Sequence, residues 1–468
     1  MNEQQEPNLS IGRNLKIGLF HLGSGMADVV TTGIWNRIMI SDLGFSATPV
    51  SLLISLKYFL APLGVWAGRM SDRHAIGGYR RLFWIWLGRA MMAIGTASLG
   101  FSTAYVARGN EATAGIWAVF AVSMLLFSLG NAFSGGTFLA LIYDRSSSKQ
   151  QGRAVGIVWT FLLLGFTFAG IIFGVMLPTS HEPAVEGVRR LSFTPDTLQN
   201  LFVVGALFMA GLWFFSLVGE ERRNKAILEV QAESKRTTSI WADLKHVWSN
   251  RQTRAFFWFL ALSMGFAFAQ DPILEPFAGE VFKMDAAHTT RFAAYWGSTA
   301  IISTILFIWL GRRYPRLTNT LLSYVGVIAL VLTFIIFGIS ALAQVRGLVT
   351  VGLIVLGIGL GIWNVGTLGL MMEMSPSRRA GTFLGFWTLV VTIFRGLGTS
   401  AAGIMLDVMR SLTGANLPLS YGSIFVACGV GLVVSILALR QVNVKAFHEA
   451  QGALEATDTA SVLAIAMD

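Results

Sequence analysis

The sequence predicts an all-α membrane protein, with twelve transmembrane helices arranged as two six-helix halves. Three observations lead there. First, only 13% of the 468 residues are charged and 54% are hydrophobic, against roughly 25% charged in an ordinary soluble protein. Mean hydropathy is +0.62. So few charges could not cover the exterior of a soluble protein this long, so lipid must solvate most of the surface. Second, apolar runs of about 20 residues, the length that crosses a bilayer, recur twelve times. Third, lysine and arginine alternate between the gaps: 24 fall on the side of the N-terminus and 7 on the other. That bias places both termini in the cytoplasm. The same composition excludes other classes. The single cysteine, Cys428, rules out a disulfide framework or a multi-cysteine metal site. The net charge of +10 is spread over short inter-span gaps rather than one basic face, so nucleic acid is not an expected partner.

The expected spans are 15–38, 48–68, 82–102, 115–141, 153–177, 199–219, 256–278, 292–311, 319–341, 348–372, 381–406 and 421–440. A polar cytoplasmic segment, 1–14, precedes a first bundle, 15–219, with no cleavable signal pattern. A cytoplasmic linker, 220–254, carries eight basic residues and separates it from the second bundle, 255–440. Within that linker Ile240, Trp241, Leu244, Val247 and Trp248 recur at helical spacing, as in an amphipathic helix lying on the membrane. The tail, 441–468, is too polar to span and is expected to be mobile.

Two six-span halves joined by a long loop are the outline of a parallel-repeat secondary transporter. The gap between spans two and three reads Gly68-Arg-Met-Ser-Asp72-Arg73, then Gly77-Gly78-Tyr79-Arg80-Arg81. It resembles the loop signature of the major facilitator superfamily, stretched by about two residues in its second part. The matching gap of the second half, Gly311-Arg312-Arg313-Tyr314-Pro315-Arg316, keeps the basic cluster and lacks the aspartate. Gly68, Asp72, Arg73, Arg80 and Arg81 thus form a candidate conformational-switch loop, in which charges at helix ends pair differently in two rocking states.

Ionisable groups inside spans cost at least ~2.5 kcal/mol each and need a reason. Span one carries His21, Asp28, Thr32 and Asn36, the last three at i, i+4 and i+8 on one face. Lys57 of span two lies at the depth of Asp28, so the two either pair or line one cavity. Span seven contains Gln270-Asp271-Pro272-Ile273-Leu274-Glu275-Pro276. Its prolines break the helix beside two carboxylates, which is tolerable only next to protein or a water-filled cavity. Arg395 in span eleven is the expected counter-ion. Arg89, Glu373 and Asp407 lie nearer the interfaces, where snorkelling accounts for them. His21 is either a hydrogen-bonded histidine or an axial ligand for a metal in a tetrapyrrole. Most tryptophans sit at span ends, as in an aromatic belt. Trp35, Trp159, Trp363 and Trp387 could instead pack internally or stack on a flat ligand. Gly170/Gly174 and Gly357/Gly361 are GxxxG pairs suited to close helix contact. The glycines of 357–361 sit inside span ten with no strand before them, so they are no nucleotide loop.

Four stretches carry a narrower resemblance: Ala27 to Ile40, Tyr58 to Arg69 with Gly78 to Arg81, Gln270 to Phe282, and Arg379 to Trp387. They are similar to the PucC/LhaA family of phototrophic bacteria, and the resemblance runs over about residues 12–440. It implies a facilitator-fold protein of the photosynthetic inner membrane that assists assembly of light-harvesting antenna complexes. It also implies bacteriochlorophyll as bound cargo, with antenna polypeptides and pigment-synthesis enzymes as partners. Some members carry the older name of a bacteriochlorophyll synthase subunit. No nucleophile or general-base constellation supports catalysis, so the expectation is a non-enzyme. The alternative is a proton-coupled transporter of a small solute, with Asp28 or Glu275 as the titrating carboxylate.

Overall fold

Lipid offers no partner to backbone N–H and C=O groups, so a chain this apolar satisfies them within helices. The computed structural model describes residues 9–147, 150–178, 193–221, 248, 250–375 and 380–449. Among these, ten helices are long and apolar enough to cross a membrane: Ala47–Arg73, Leu82–Ala107, Ala114–Arg145, Gln151–Met176, Pro195–Leu217, Ala286–Arg313, Asn319–Leu342, Gly347–Glu373, Gly385–Leu412 and Leu417–Leu439. They correspond to spans two to six and eight to twelve. Spans one and seven fall outside that set because each is interrupted and polar. Span one is α-helical over Ile11–Asp28, then widens into π-helical turns over Val29–Trp35 and Ile38–Asp42. Span seven runs Arg251–Phe268, breaks, and resumes over Leu274–Phe282. The amphipathic helix expected near 240–248 lies outside the described residues apart from Trp248, whose ring meets Trp258 and Phe386 edge-on.

Within the first half, span three packs on four and six, and span one on five and six. Within the second, span nine packs on ten and twelve, span eight on ten, and span seven on eleven and twelve. The halves meet through spans two and eleven and through five and eight. Span direction fixes the depth of these contacts. Calling the side of Leu9 the near side, the hydrogen bonds between halves among the described residues lie from mid-membrane to the far side. Asp407 accepts from Ala47 N (3.0 Å) and Thr48 N (2.8 Å). Ser400 Oγ meets Ser55 Oγ at 2.8 Å, and Arg37 donates to Met284 O at 2.8 Å. Gly170 and Gly174 of span five press on Ala294, Thr290 and Arg291, again in the far half. The structure is therefore drawn together on the far side.

Three sequence expectations are corrected here. Asp407 is no snorkelling surface acid; it caps the first turn of span two from the opposite half. Arg89 does not snorkel: its side chain is buried, with the guanidinium 4.0 Å from the ring centre of Phe20 and 4.8 Å from that of Trp213. The tail is ordered at its start. Residues 444–449 are helical, Phe447 is buried and Asn443 N bonds Gln252 Oε1 at 2.7 Å. An apolar ring buried in the core outweighs the polar character of its neighbours.

Candidate functional site

The unusual winding of spans one and seven builds the site. Thr31 and Thr32 turn their hydroxyls back onto Ala27 O (3.1 Å) and Asp28 O (2.6 Å) where the π turns begin. Such back-bonding competes with the regular helix ladder and favours a widened turn. In span seven Pro272 has no N–H to donate, and the chain turns over residues 269–273. The carbonyl of Pro272 is then taken by Asn36 Nδ2 at 2.7 Å. Pro276 falls in the first turn of the resumed helix, where a missing donor costs nothing.

A small cavity of about 40 Å³ lies between these interruptions, lined by Asp28, Thr32, Gln270, Asp271, Glu275 and Arg395, with Phe166, Phe268 and Trp296 as apolar walls. Lys57 Nζ donates to Asp28 Oδ1. Arg395 donates to Asp271 Oδ2 at 2.8 Å, and Gln270 Nε2 to Asp271 Oδ1 at 2.8 Å. The Arg395 guanidinium also lies 4.0 Å from the Phe268 ring centre and 5.0 Å from that of Tyr58. Cation–π contact of this kind compensates a partly desolvated charge. Each ion pair joins two residues of the same half, so rigid rocking of the halves leaves both pairs intact. Glu275 is different. It is buried against Gly33 of span one, and among the described residues no cation lies within ion-pair distance of it. The site thus holds two compensated pairs and one uncompensated carboxyl.

Three predicted residues lie outside the cavity lining, and one of them, Lys57, is buried and meets the site only through its pair with Asp28. Asn36 is fully buried and spent on Pro272, because the π turns rotate it toward the second half. His21 sits two turns nearer the near side, against Phe20, Phe138 and a half-exposed Trp159. Its Nδ1 is buried without a hydrogen-bond partner. Metal-ligating histidines ordinarily anchor that second nitrogen, so the arrangement lends axial ligation no support. Trp35 is packed, donating its indole N–H to Thr103 Oγ1 at 3.0 Å.

Among the described residues, the ion pairs and caps of the switch loop fall within the first half. Arg81 bridges Asp72 (2.5 Å) and Asp144 (3.0 Å), and Arg80 reaches Asp144 at 2.9 Å. Glu221 accepts from the backbone N–H groups of Arg80, Arg81 and Leu82, capping span three. Gly77 (φ 63°) and Gly78 (φ 84°) form the tight turn between Ile76 and Tyr79. Two consecutive positive φ angles are what a primed hairpin turn demands, and glycine takes them without strain. Gly68 stands clear of neighbours, and Arg73 is exposed.

Sequence reasoning missed Glu280, Arg410, Tyr421 and the role of Arg37. Arg410 pairs with Glu280, and the Tyr421 hydroxyl donates to Glu280 at 2.7 Å. Arg37 pairs with Asp42 at 2.8 Å and crosses to the second half under Gly279, where a Cβ would fall 2.4 Å from its guanidinium. One signal was available. An acid such as Asp407 near a helix C-terminus opposes the helix dipole and so needs a donor elsewhere.

This architecture, two six-helix halves around a charged mid-membrane cavity, is that of the major facilitator superfamily. Solved structures share it. A bacterial homologue of the human lysosomal transporter Spinster, in an inward-facing and unoccupied conformation, superposes with a TM-score of 0.69 at 16% identity, covering 92% of this chain and 97% of that one. The nucleoside transporter NupG gives 0.61 at 15% identity, covering 92% and 99%. At such identities the likeness is one of fold. The family model described as PUCC protein matches residues 34–447, and the chain belongs to that family. Protein PucC of Rhodovulum sulfidophilum is 28% identical over 421 residues, 87% of this chain and 88% of that protein. A Rhodobacter capsulatus protein named "Bacteriochlorophyll synthase 44.5 kDa chain" is 27% identical over 401 residues, covering 84% and 87%.

Proposed function

We propose that this chain assists the assembly of light-harvesting antenna complexes in the inner membrane of a phototrophic bacterium. In this reading it handles bacteriochlorophyll, chaperones antenna polypeptides, or both, with the termini in the cytoplasm. The observation that carries the reading is family membership over residues 34–447, together with a relative whose name contains bacteriochlorophyll. The geometry supports a facilitator-type frame for it, drawn together on the far side and carrying charge at its centre. The cavity, about 40 Å³, is far smaller than the roughly 300–1,000 Å³ of a small-ligand pocket. An esterified tetrapyrrole therefore engages an outer helix groove or a widened cleft rather than the pocket as it stands. Deleting the gene should depress antenna absorbance while leaving reaction-centre absorbance. Unchanged antenna in the deletion strain would overturn the proposal. A cysteine replacing Arg316 should react with impermeant reagents only from the cytoplasmic side. Labelling from outside would reverse the orientation.

One observation favours a second reading, proton-coupled transport of a small solute. Glu275 faces the cavity without a cation, so its proton can come and go without breaking an ion pair. Colourless purified protein driving pH-dependent uptake in liposomes, abolished by Glu275→Gln, would favour it. Long-wavelength pigment or antenna peptides co-eluting with the protein would favour the first.

A further inference from the structure

A second concavity lies on the near side, away from the central site. It is formed by the start of span one, the end of span four and the turn after span six, and is lined by Arg13, Lys16, Arg145, Val218, Gly219 and Glu220. Two basic side chains converge there on one carboxylate, and a third, Arg145, lines the same basin. Glu220 is buried and draws in Arg13 at 3.0 Å and Lys16 at 3.4 Å. Lys16 Nζ also donates to Val218 O at 2.6 Å. Arg145 has no ion-pair partner among the described residues.

The charge balance decides what the basin can hold. One carboxylate and the carbonyl ends of two helices, each worth about half a charge, oppose three cations. The first turn of span one, capped by Ser10, adds positive potential. The basin stays positive, and Glu220 holds two of its cations in place before any ligand arrives. Beside it the surface turns apolar. Phe214 and Phe215 are each 60% exposed, and Ile11 and Leu15 are exposed too. The Lys16 ammonium lies 5.9 Å from the Phe215 ring centre. A basic pocket between helix ends, bordered by lipid-facing aromatic rings, matches an anionic headgroup with its acyl chains alongside.

We propose that this basin is a binding site for an anionic phospholipid, with the phosphate taken by Arg13, Lys16 and Arg145 and the chains laid over Phe214 and Phe215. The site is independent of the antenna reading and would stand if that reading failed. The test uses the full-length protein, purified in neutral detergent and titrated with phosphatidylglycerol or phosphatidylcholine while thermal unfolding is followed. Phosphatidylglycerol should raise the midpoint and phosphatidylcholine should not. The Arg13→Gln/Arg145→Gln variant should bind phosphatidylglycerol at least about tenfold more weakly. Arg312→Gln/Arg316→Gln, which removes exposed charge from the other half, should retain the shift and so controls for general charge loss. Equal stabilisation by both lipids overturns the proposal, as does an undiminished shift in the first variant. Equal protection by inorganic phosphate alone would also overturn it, because the ligand would then be a soluble anion. Should the first variant misfold, native mass spectrometry of the wild-type protein decides: retained anionic lipid supports the site, and its absence overturns it.

Discussion

The two halves repeat one plan but are braced at opposite ends. Among the described residues, the less exposed braces of the first half lie on the near side, where Asp72, Arg81, Asp144 and Glu221 tie spans two, three, four and six together. Its far side has the exposed pair of Arg108 and Asp196. Among the described residues, the second half has only a trace of the near-side bracing. Asn319 donates to Glu373 at 2.8 Å, joining the start of span nine to the end of span ten as Arg81 and Asp144 join spans three and four. An amide replaces a guanidinium, and the snorkelling expected of Glu373 gives way to this bond. The second half is tied on the far side instead, through Glu280, Arg410 and Tyr421. At mid-depth the halves match again, each with one internal ion pair. The difference teaches that the loop signature is a brace for one half, and that the other half is tied at the opposite end by a different set of residues.

The largest expected effect tests the central pairs. Arg395→Leu should cost about 3–5 kcal/mol of stability, because Asp271 is left as an uncompensated buried charge. Adding Asp271→Leu should restore much of it. Lys57→Leu should cost less, since the Asp28 side chain is 26% exposed against 14% for Asp271. Denaturant unfolding of the purified variants measures all three. Equal single-variant losses would show that the two centres are interchangeable. Next, Gly279→Ala should push Arg37 aside and loosen the far side. A cysteine placed at Ser400, buried between the halves, should then react with maleimide severalfold faster. The native Cys428 is itself buried and should stay silent. No change in rate would mean that Arg37 does not hold the halves together. The smallest effect contrasts the two near-side arrangements. Glu221→Ala removes an acceptor for three backbone N–H groups and should cost about 1–2 kcal/mol. Glu373→Ala removes one exposed hydrogen bond and should cost about 0.5 kcal/mol or less. A reversed order would refute the idea that bracing on this side belongs to the first half.

Charges set in apolar runs are conspicuous, so Asp28, Lys57, Asp271, Arg395 and Glu275 stood out in the bare sequence, as did the proline breaks of span seven. Their partners were harder to see. Asp407 and Arg89 sit at depths where exposure is the cheap explanation, and only the packing shows which way they point. The π turns of span one left no mark, since Val29–Trp35 would suit an α-helix equally well. Asn36 was therefore assigned to a face it does not occupy. Phe447 is one apolar residue in a polar tail, too little for a pattern to register.

Those π turns give span one an unusual tolerance of a shortened chain. A π turn holds one more residue than the α turn it replaces. Removing a single residue between Val29 and Trp35 would let the helix close to regular winding without losing its hydrogen-bond ladder. Everything beyond would keep close to its present facing, because one α turn completes the same 360° with one residue fewer, and Arg37 would stay near its seat. A one-codon deletion there should leave both the charged centre and the outer seam assembled, whereas the same deletion in the regular winding of Ile11–Asp28 would swing one side of it by about 100° against the other.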